Sequence, residues 1–256
     1  MVDIHCHILF GLDDGARTIE DSLAMAEDAI ADGITHVVGT PHSSTAHKFD
    51  FEKVLAVREE LREKLGERLT IATGCDFHLD PENLQAIRKS PAEFCINQKD
   101  YLLVEFNEFS IPPSMDQTLH DLHLQGLRPI VTHPERNGIL RTQPDRLRDW
   151  VHKGCYAQVT AGSLAGAFGP VAKERAWEWL SQGLVHFVSS DAHNITRRPL
   201  KLKFAYDAVL EQCGEEKARA LFIENPLAAF EGQSLPYVPE VSVETKIAKR
   251  KRFYFF

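Results

Sequence analysis

Short apolar runs alternate with amphipathic stretches along this chain, and the spacing of roughly 30 residues fits strand–loop–helix units. The first run covers residues 2–4, and Thr18 with Asp21 three positions on has the spacing of a helix-opening capping box. The helix behind it is expected to bury Leu23, Ala26 and Ile30 and to stop at Gly33. A strand over 34–40 leads to Pro41 and His42. The next helix, 51–65, carries Val54, Leu61 and Leu65 on one face. Pro81 opens a short helix with Leu84 and Ile87. Helices over 115–125, 145–153 and 170–182 precede Gly126, Gly154 and Gly183, and each glycine leads into a strand, at 128–133, 155–160 and 184–190. Helices near 202–212 and 215–223 finish the pattern. With the runs at 71–73 and 102–104 this makes seven units. It predicts an α/β fold, a distorted (β/α)7 barrel over residues 1–230, and a flexible C-terminal extension over 231–256. The rival, an open parallel sheet, would not bring the ends of the first and last strands together.

The polar residue at the end of each apolar run is more informative than the run itself. His5 and His7 come after residues 2–4, His42 after 37–39, and Asp76 after 71–73. Glu105 comes after 102–104, His133 after 130–132, and Asp191 with His193 after 187–190. In barrels the C-terminal strand ends carry the active site, so these imidazoles and carboxylates would share one rim and hold several divalent cations. Each has a bland reading taken singly: Asp13-Asp14-Gly15 as a turn, His42 as a loop residue. Glu105 is harder to dismiss, because a carboxylate closing an apolar strand needs compensation.

Composition narrows the class. The chain has 256 residues, 43% hydrophobic and 26% charged, with a net charge of −8, which suits a globular enzyme and argues against nucleic acid as a partner. Five cysteines without a C-x-x-C pair fit a reduced, cytoplasmic setting. The start in a strand leaves no room for a signal peptide, and no stretch reaches the roughly 18 apolar residues of a membrane span. Cys6 and Cys75 are expected to be small core residues.

Asp3-Ile4-His5-Cys6-His7, Asp13-Asp14-Gly15, Thr132-His133-Pro134-Glu135-Arg136, Ser190-Asp191-Ala192-His193-Asn194 and the late Phe222-Ile223-Glu224-Asn225-Pro226 resemble the polymerase-and-histidinol-phosphatase (PHP) superfamily. Within it they are most similar to the bacterial manganese-dependent protein-tyrosine phosphatases of the CpsB/CapC type, found with capsule and exopolysaccharide synthesis. The resemblance spans residue 1 to about Pro226. It implies a barrel of the PHP type with three Mn2+ ions, Fe, Zn, Co or Mg being alternatives. His5, His7 and Asp191 would hold one ion and Glu105 and His133 a second, with Asp76 bridging the two. Asp14, His42 and His193 would hold a third. Relatives usually carry Glu where this chain has Asp76, one methylene shorter; His78 is an outside candidate to compensate. The implied partner is a bacterial tyrosine kinase with a tyrosine-rich tail.

The expected reaction is hydrolysis of phosphotyrosine on proteins by a metal-activated hydroxide, with Arg136 and Arg198 clasping the phosphate. Arg197 leaves the second arginine ambiguous, and either could instead be a surface ion pair. Two alternatives stay open: a phosphoesterase acting on a small molecule such as histidinol phosphate, and a catalytically weakened metal-binding regulator. A nuclease and an amidohydrolase fit less well. Cys213 and Arg219 have the C-x5-R spacing of thiol phosphatases, but the acids between them read as a helix start and would repel phosphate. His47, Phe106, Phe109 and Ile111 are expected near the entrance, or as loop and core. The basic and aromatic residues 246–256 would allow peripheral membrane contact.

Overall fold

The computed structural model describes residues 1–241. Its strands are β1 (Val2–Cys6), β2 (His36–Gly39), β3 (His42–Ser43), β4 (Thr70–Thr73), β5 (Asp76–His78), β6 (Tyr101–Glu105), β7 (Arg128–Thr132), β8 (Tyr156–Thr160) and β9 (Phe187–Ser189). All pair in parallel, in the orders β1-β2-β4 and β3-β5-β6-β7-β8-β9. Two expected strands are interrupted: β2 and β3 flank Thr40-Pro41, and β4 and β5 flank Gly74-Cys75. Proline has no N–H to give a ladder, yet pairing resumes at once. Gly74 N donates to Gly39 O at 3.0 Å, and Asp76 N to Pro41 O at 3.1 Å. Counted this way there are seven strands. The ring meets itself at β1 and the end of β9, where Asp191 N donates to His5 O (2.9 Å) and His7 N to Ala192 O (2.8 Å).

Alternation along each strand sends side chains to two cores. Ile4, Val38, Ala72, Leu103, Ile130 and Phe187 fill the barrel interior, covered below by Ala228 and Ala229. The larger core lies between strands and outer helices and includes Leu61, Leu102, Val131, Trp150 and Trp179.

The first helix, Ile19–Ala31, has the expected capping box on Thr18 and Asp21. Its buried face is Ser22, Met25, Ala26 and Ala29, rotated from the expected one; Leu23 and Ile30 lie at its half-buried flank. Short helices at Pro91–Phe94, Gly138–Thr142 and Ala161–Ala165 are too brief to show a period. The last helical run does not stop at 223. It passes through a π turn, Ala220–Glu224, into Asn225–Glu231, where Pro226 occupies the first turn and loses little by lacking an N–H. The first part of the expected extension packs on the barrel: Leu235 is buried and Tyr237 N donates to Asn225 Oδ1 at 3.1 Å. Residues 242–256, with the basic–aromatic segment that would allow membrane contact, lie outside the described residues. Among those described, no helix is long and apolar enough to cross a membrane.

Candidate metal centre

All nine expected ligands meet on the rim formed by the C-terminal strand ends. Four overlapping groups have ligand atoms within 4.8 Å of one another: His7, Asp14, His42 and His193; His5, His7 and Asp76; Asp76, Glu105 and His133; and His42, His78 and Glu105. Asp191 stands beside the second group, its Oδ1 3.6 Å from His5 Nε2 and 3.3 Å from His7 Nε2. The shorter carboxylate of Asp76 still reaches the middle, with Oδ2 3.5 Å from His5 Nε2 and 3.2 Å from His42 Nδ1.

Second partners aim the imidazoles. His7 Nδ1 lies 2.6 Å from Asp13 Oδ2, and His5 Nδ1 lies 3.0 Å from Gln158 Oε1. Both contacts require a proton on Nδ1 and leave the Nε2 lone pair facing the cluster, as at metal sites. Asp13 also accepts from His42 N (3.0 Å) and Gly15 N (2.9 Å). A Cβ on Gly15 would lie 2.3 Å from His7 O, so only glycine lets the Asp13–Asp14 turn close on β1. The turn splits the acids: Asp13 faces inward, while the Asp14 side chain is 56% exposed and 3.4 Å from both His42 Nε2 and His193 Nε2.

The backbone is strained where ligands leave the strands. His133 has φ 32° and Asp191 φ 51°, two of only four non-glycine residues with positive φ among those described. Such conformations cost of order 1–3 kcal/mol each and persist where surrounding structure enforces them.

Charge dominates the titration of the site. Burial lowers the His5 pKa, but Asp76 and Asp191 more than reverse this and hold it at about 9. Burial would raise Asp13, yet the charge and hydrogen bonds of His7 bring it down to about 2. Hydrogen bonds from His193 and His42 depress Asp14 strongly. Burial and the neighbouring Arg136 charge keep His133 low, at about 4, so it is neutral and able to donate a lone pair. Cation binding would displace the protons that these imidazoles otherwise carry.

The donor set fits divalent cations on a second ground. His5 Nε2, His7 Nε2, His42 Nδ1, Asp76 Oδ2 and Glu105 Oε2 are buried without a hydrogen-bond partner. An unpaired buried polar group costs about 1–3 kcal/mol, and five converging on one space make a coherent cation cradle.

Arg136 and Arg198 both reach this space: Arg136 Nη1 and Arg198 Nη2 donate to Asp191 Oδ2. The Phe168 ring lies 4.4 Å from Arg136 Cζ and 5.8 Å from Arg198 Cζ, so it backs both guanidinium groups. Arg197 is exposed; its backbone N–H and that of Arg198 both donate to Asn194 Oδ1, at 2.8 and 3.2 Å. Phe106 and Ile111 are core, Phe106 stacking on Trp150 at 4.7 Å. Phe109 is 90% exposed and lines, with His42, His47, His78 and Glu105, a cavity of about 320 Å³.

A family described as "Capsular polysaccharide synthesis, CpsB/CapC" matches residues 1–231. The chain is 34% identical over 260 residues to tyrosine-protein phosphatase YwqE of Bacillus subtilis, covering 100% of both chains. It belongs to the CpsB/CapC family. Tyrosine-protein phosphatase CpsB of Streptococcus pneumoniae is 31% identical over 236 residues, covering 88% of this chain and 96% of CpsB. A crystal structure from work on YwqE and CpsB, described there as unique metal-dependent tyrosine phosphatases, superposes with a TM-score of 0.88 at 33% identity, covering 95% of this chain and 100% of the other.

All nine ligand candidates and both arginines fall within the CpsB/CapC match. Several supporting residues escaped sequence reasoning. Asp3, within β1, is fully buried, accepts from Ser190 N at 3.2 Å and His5 N at 3.2 Å, and has its pKa raised by burial to about 6. Glu135 Oε1 accepts from Thr160 N (2.9 Å) and Ser163 Oγ (2.7 Å), tying the ends of β7 and β8 together. Asp3 and Gln158 were legible as polar residues inside apolar strands; Asp13 was hidden by its acidic neighbour. Cys6 and Cys75 are fully buried, as expected. Cys213 and Arg219 do not frame a phosphate loop in this CpsB/CapC chain: the residues between them open the helix Glu215–Arg219, and burial raises the Cys213 thiol.

Proposed function

We propose that this chain is a metal-dependent protein-tyrosine phosphatase. His5, His7 and Asp191 hold one cation, Glu105 and His133 a second, with Asp76 between them, and Asp14, His42 and His193 hold a third. Mn2+ is the preferred ion, and Fe, Zn, Co or Mg would suit the same nitrogen and oxygen donors. Bound cations supply water activation and charge stabilisation at the phosphoryl group. The chain's own contribution is orientation: Asp13 and Gln158 fix the tautomers of His7 and His5, and Phe168 backs the arginines. Arg136 and Arg198, gathered on Asp191, provide planar donors that match phosphate oxygens. The substrate is a phosphotyrosine protein, a cytoplasmic bacterial tyrosine kinase of capsule or exopolysaccharide synthesis, rather than nucleic acid.

The observation that carries this reading is the convergence of five buried ligand atoms without hydrogen-bond partners beside two arginines, in a member of a family whose relatives are named tyrosine-protein phosphatases. The test is turnover after Mn2+ reconstitution on a phosphotyrosyl peptide, histidinol phosphate and an oligonucleotide. Preference for the peptide, abolished by exhaustive chelation, is expected. Preference for histidinol phosphate would make this a small-molecule phosphoesterase, and full metal content without turnover would make it a regulator. Arg136→Ala should retain its metal and lose about 10²–10³-fold in kcat, the size of one stabilising donor; unchanged turnover removes Arg136 from the reaction.

A further inference from the structure

We infer that His78 is a cation ligand, forming with Glu105 and His42 a seat for an ion on the outer side of the centre. The inference rests on the metal-centre reading above and adds a position to it. β5 carries Asp76 and His78 two residues apart, so both side chains leave the same face of the strand, one inward and one toward the cavity. Pairing of β5 with β6 sets His78 directly across from Glu105.

Glu105 has two oxygens facing two directions. Oε1 lies 3.7 Å from His133 Nε2, on the inner side. Oε2 lies 2.5 Å from His78 Nε2 and 3.5 Å from His42 Nδ1, on the outer side. Glu105 Oε2 thus forms an ion pair with His78 and faces His42, although neither Oε2 nor His42 Nδ1 has a well-directed hydrogen bond. A cation seated among the three would replace that ion pair and move His78 and Glu105 slightly apart. Two imidazoles and one carboxylate suit first-row divalent metals and leave positions for water or substrate. The cavity of about 320 Å³ lined by His42, His78 and Glu105 gives such ligands room, and the His78 side chain is 28% exposed.

His42 ties this seat to its neighbour. Its Nε2 faces Asp14, at 3.4 Å, while Nδ1 faces Glu105. A neutral imidazole has one lone pair and one N–H, so His42 serves one of the two seats at a time. The His78 seat and the Asp14–His193 seat therefore compete for it.

Crystals equilibrated with Mn2+ and measured for anomalous scattering test this directly. An ion within bonding distance of His78 Nε2 is expected. It should vanish in His78→Ala while ions near His5, His7, Asp76 and His133 remain, and it should strengthen in Asp14→Asn. Equilibrium dialysis should show one Mn2+ bound at least about tenfold more weakly in His78→Ala. Ions at the inner ligands with none bonded to His78, in the wild type and Asp14→Asn alike, would overturn the inference and leave the metal centre standing. A protein that takes up no Mn2+ at all would overturn both.

Discussion

The lower and upper ends of the barrel treat their polar atoms differently. Below, Tyr101 OH donates to Gln233 O (2.7 Å), Arg128 Nη1 donates to both Tyr101 OH and Gln233 O (2.9 Å each), and Asn225 Nδ2 donates to His186 O (3.0 Å) and Tyr237 O (2.8 Å). Above, five ligand atoms are buried without hydrogen-bond partners, and two of the ligand residues sit at positive φ. Stability alone would have filled the rim with apolar side chains or closed hydrogen bonds. The upper end gives up folding energy to hold lone pairs ready for cations, and the lower end supplies the stability that tolerates this.

Phe187→Ala should disturb only the lower side of that contrast. It empties a fully buried place in the barrel interior and is expected to cost about 3–5 kcal/mol of unfolding free energy, read from urea denaturation. Metal content and specific activity of the folded fraction should stay constant; a matching loss of activity would mean that the two ends are mechanically coupled.

Acid sharpens the same contrast. His186, just before β9, is 1% exposed, and burial lowers its pKa to about 4. The unfolded imidazole takes up its proton near 6.5 and the folded one only near 4. Stability from this residue is thus complete above about pH 6.5, falls as pH drops to about 4, and is level below, a change on the order of 3 kcal/mol. His186→Gln should flatten that window in a thermal melt series; an unchanged slope would place the acid sensitivity elsewhere.

The smallest effect is expected on the upper side. Asp13→Ala removes the acceptor for His7 Nδ1 and His42 N and should weaken Mn2+ binding about 10–100-fold without removing a ligand, measured by competition with a chelator of known affinity. Equal affinity would show that the His7 ring is held by packing alone.

The barrel and its nine ligand candidates were legible because short apolar runs, all but the one over 155–160, ended on histidine or carboxylate. The strand breaks at Pro41 and Gly74 were not, since an interrupted strand keeps its apolar pattern while its ladder shifts. The burial of Met25 rather than Leu23 was also not legible, because neighbouring apolar residues leave the helix face uncertain by one position. Spacing alone left Arg198 and Arg197 alike; the structure separates them, because Arg198 Nη2 donates to Asp191 Oδ2 while Arg197 is exposed. Phe168, whose task is to back the two arginines, has no motif of its own.

The seam between β1 and the end of β9 sets a schedule. His5 and His7 are synthesised long before Asp191 and His193, which emerge only when almost the whole domain has been made. A nascent chain therefore owns half a chelating site for most of its synthesis, too open to trap an ion firmly. Cation capture at the seats that need Asp191 or His193 must come last and would act as a latch on the closing barrel.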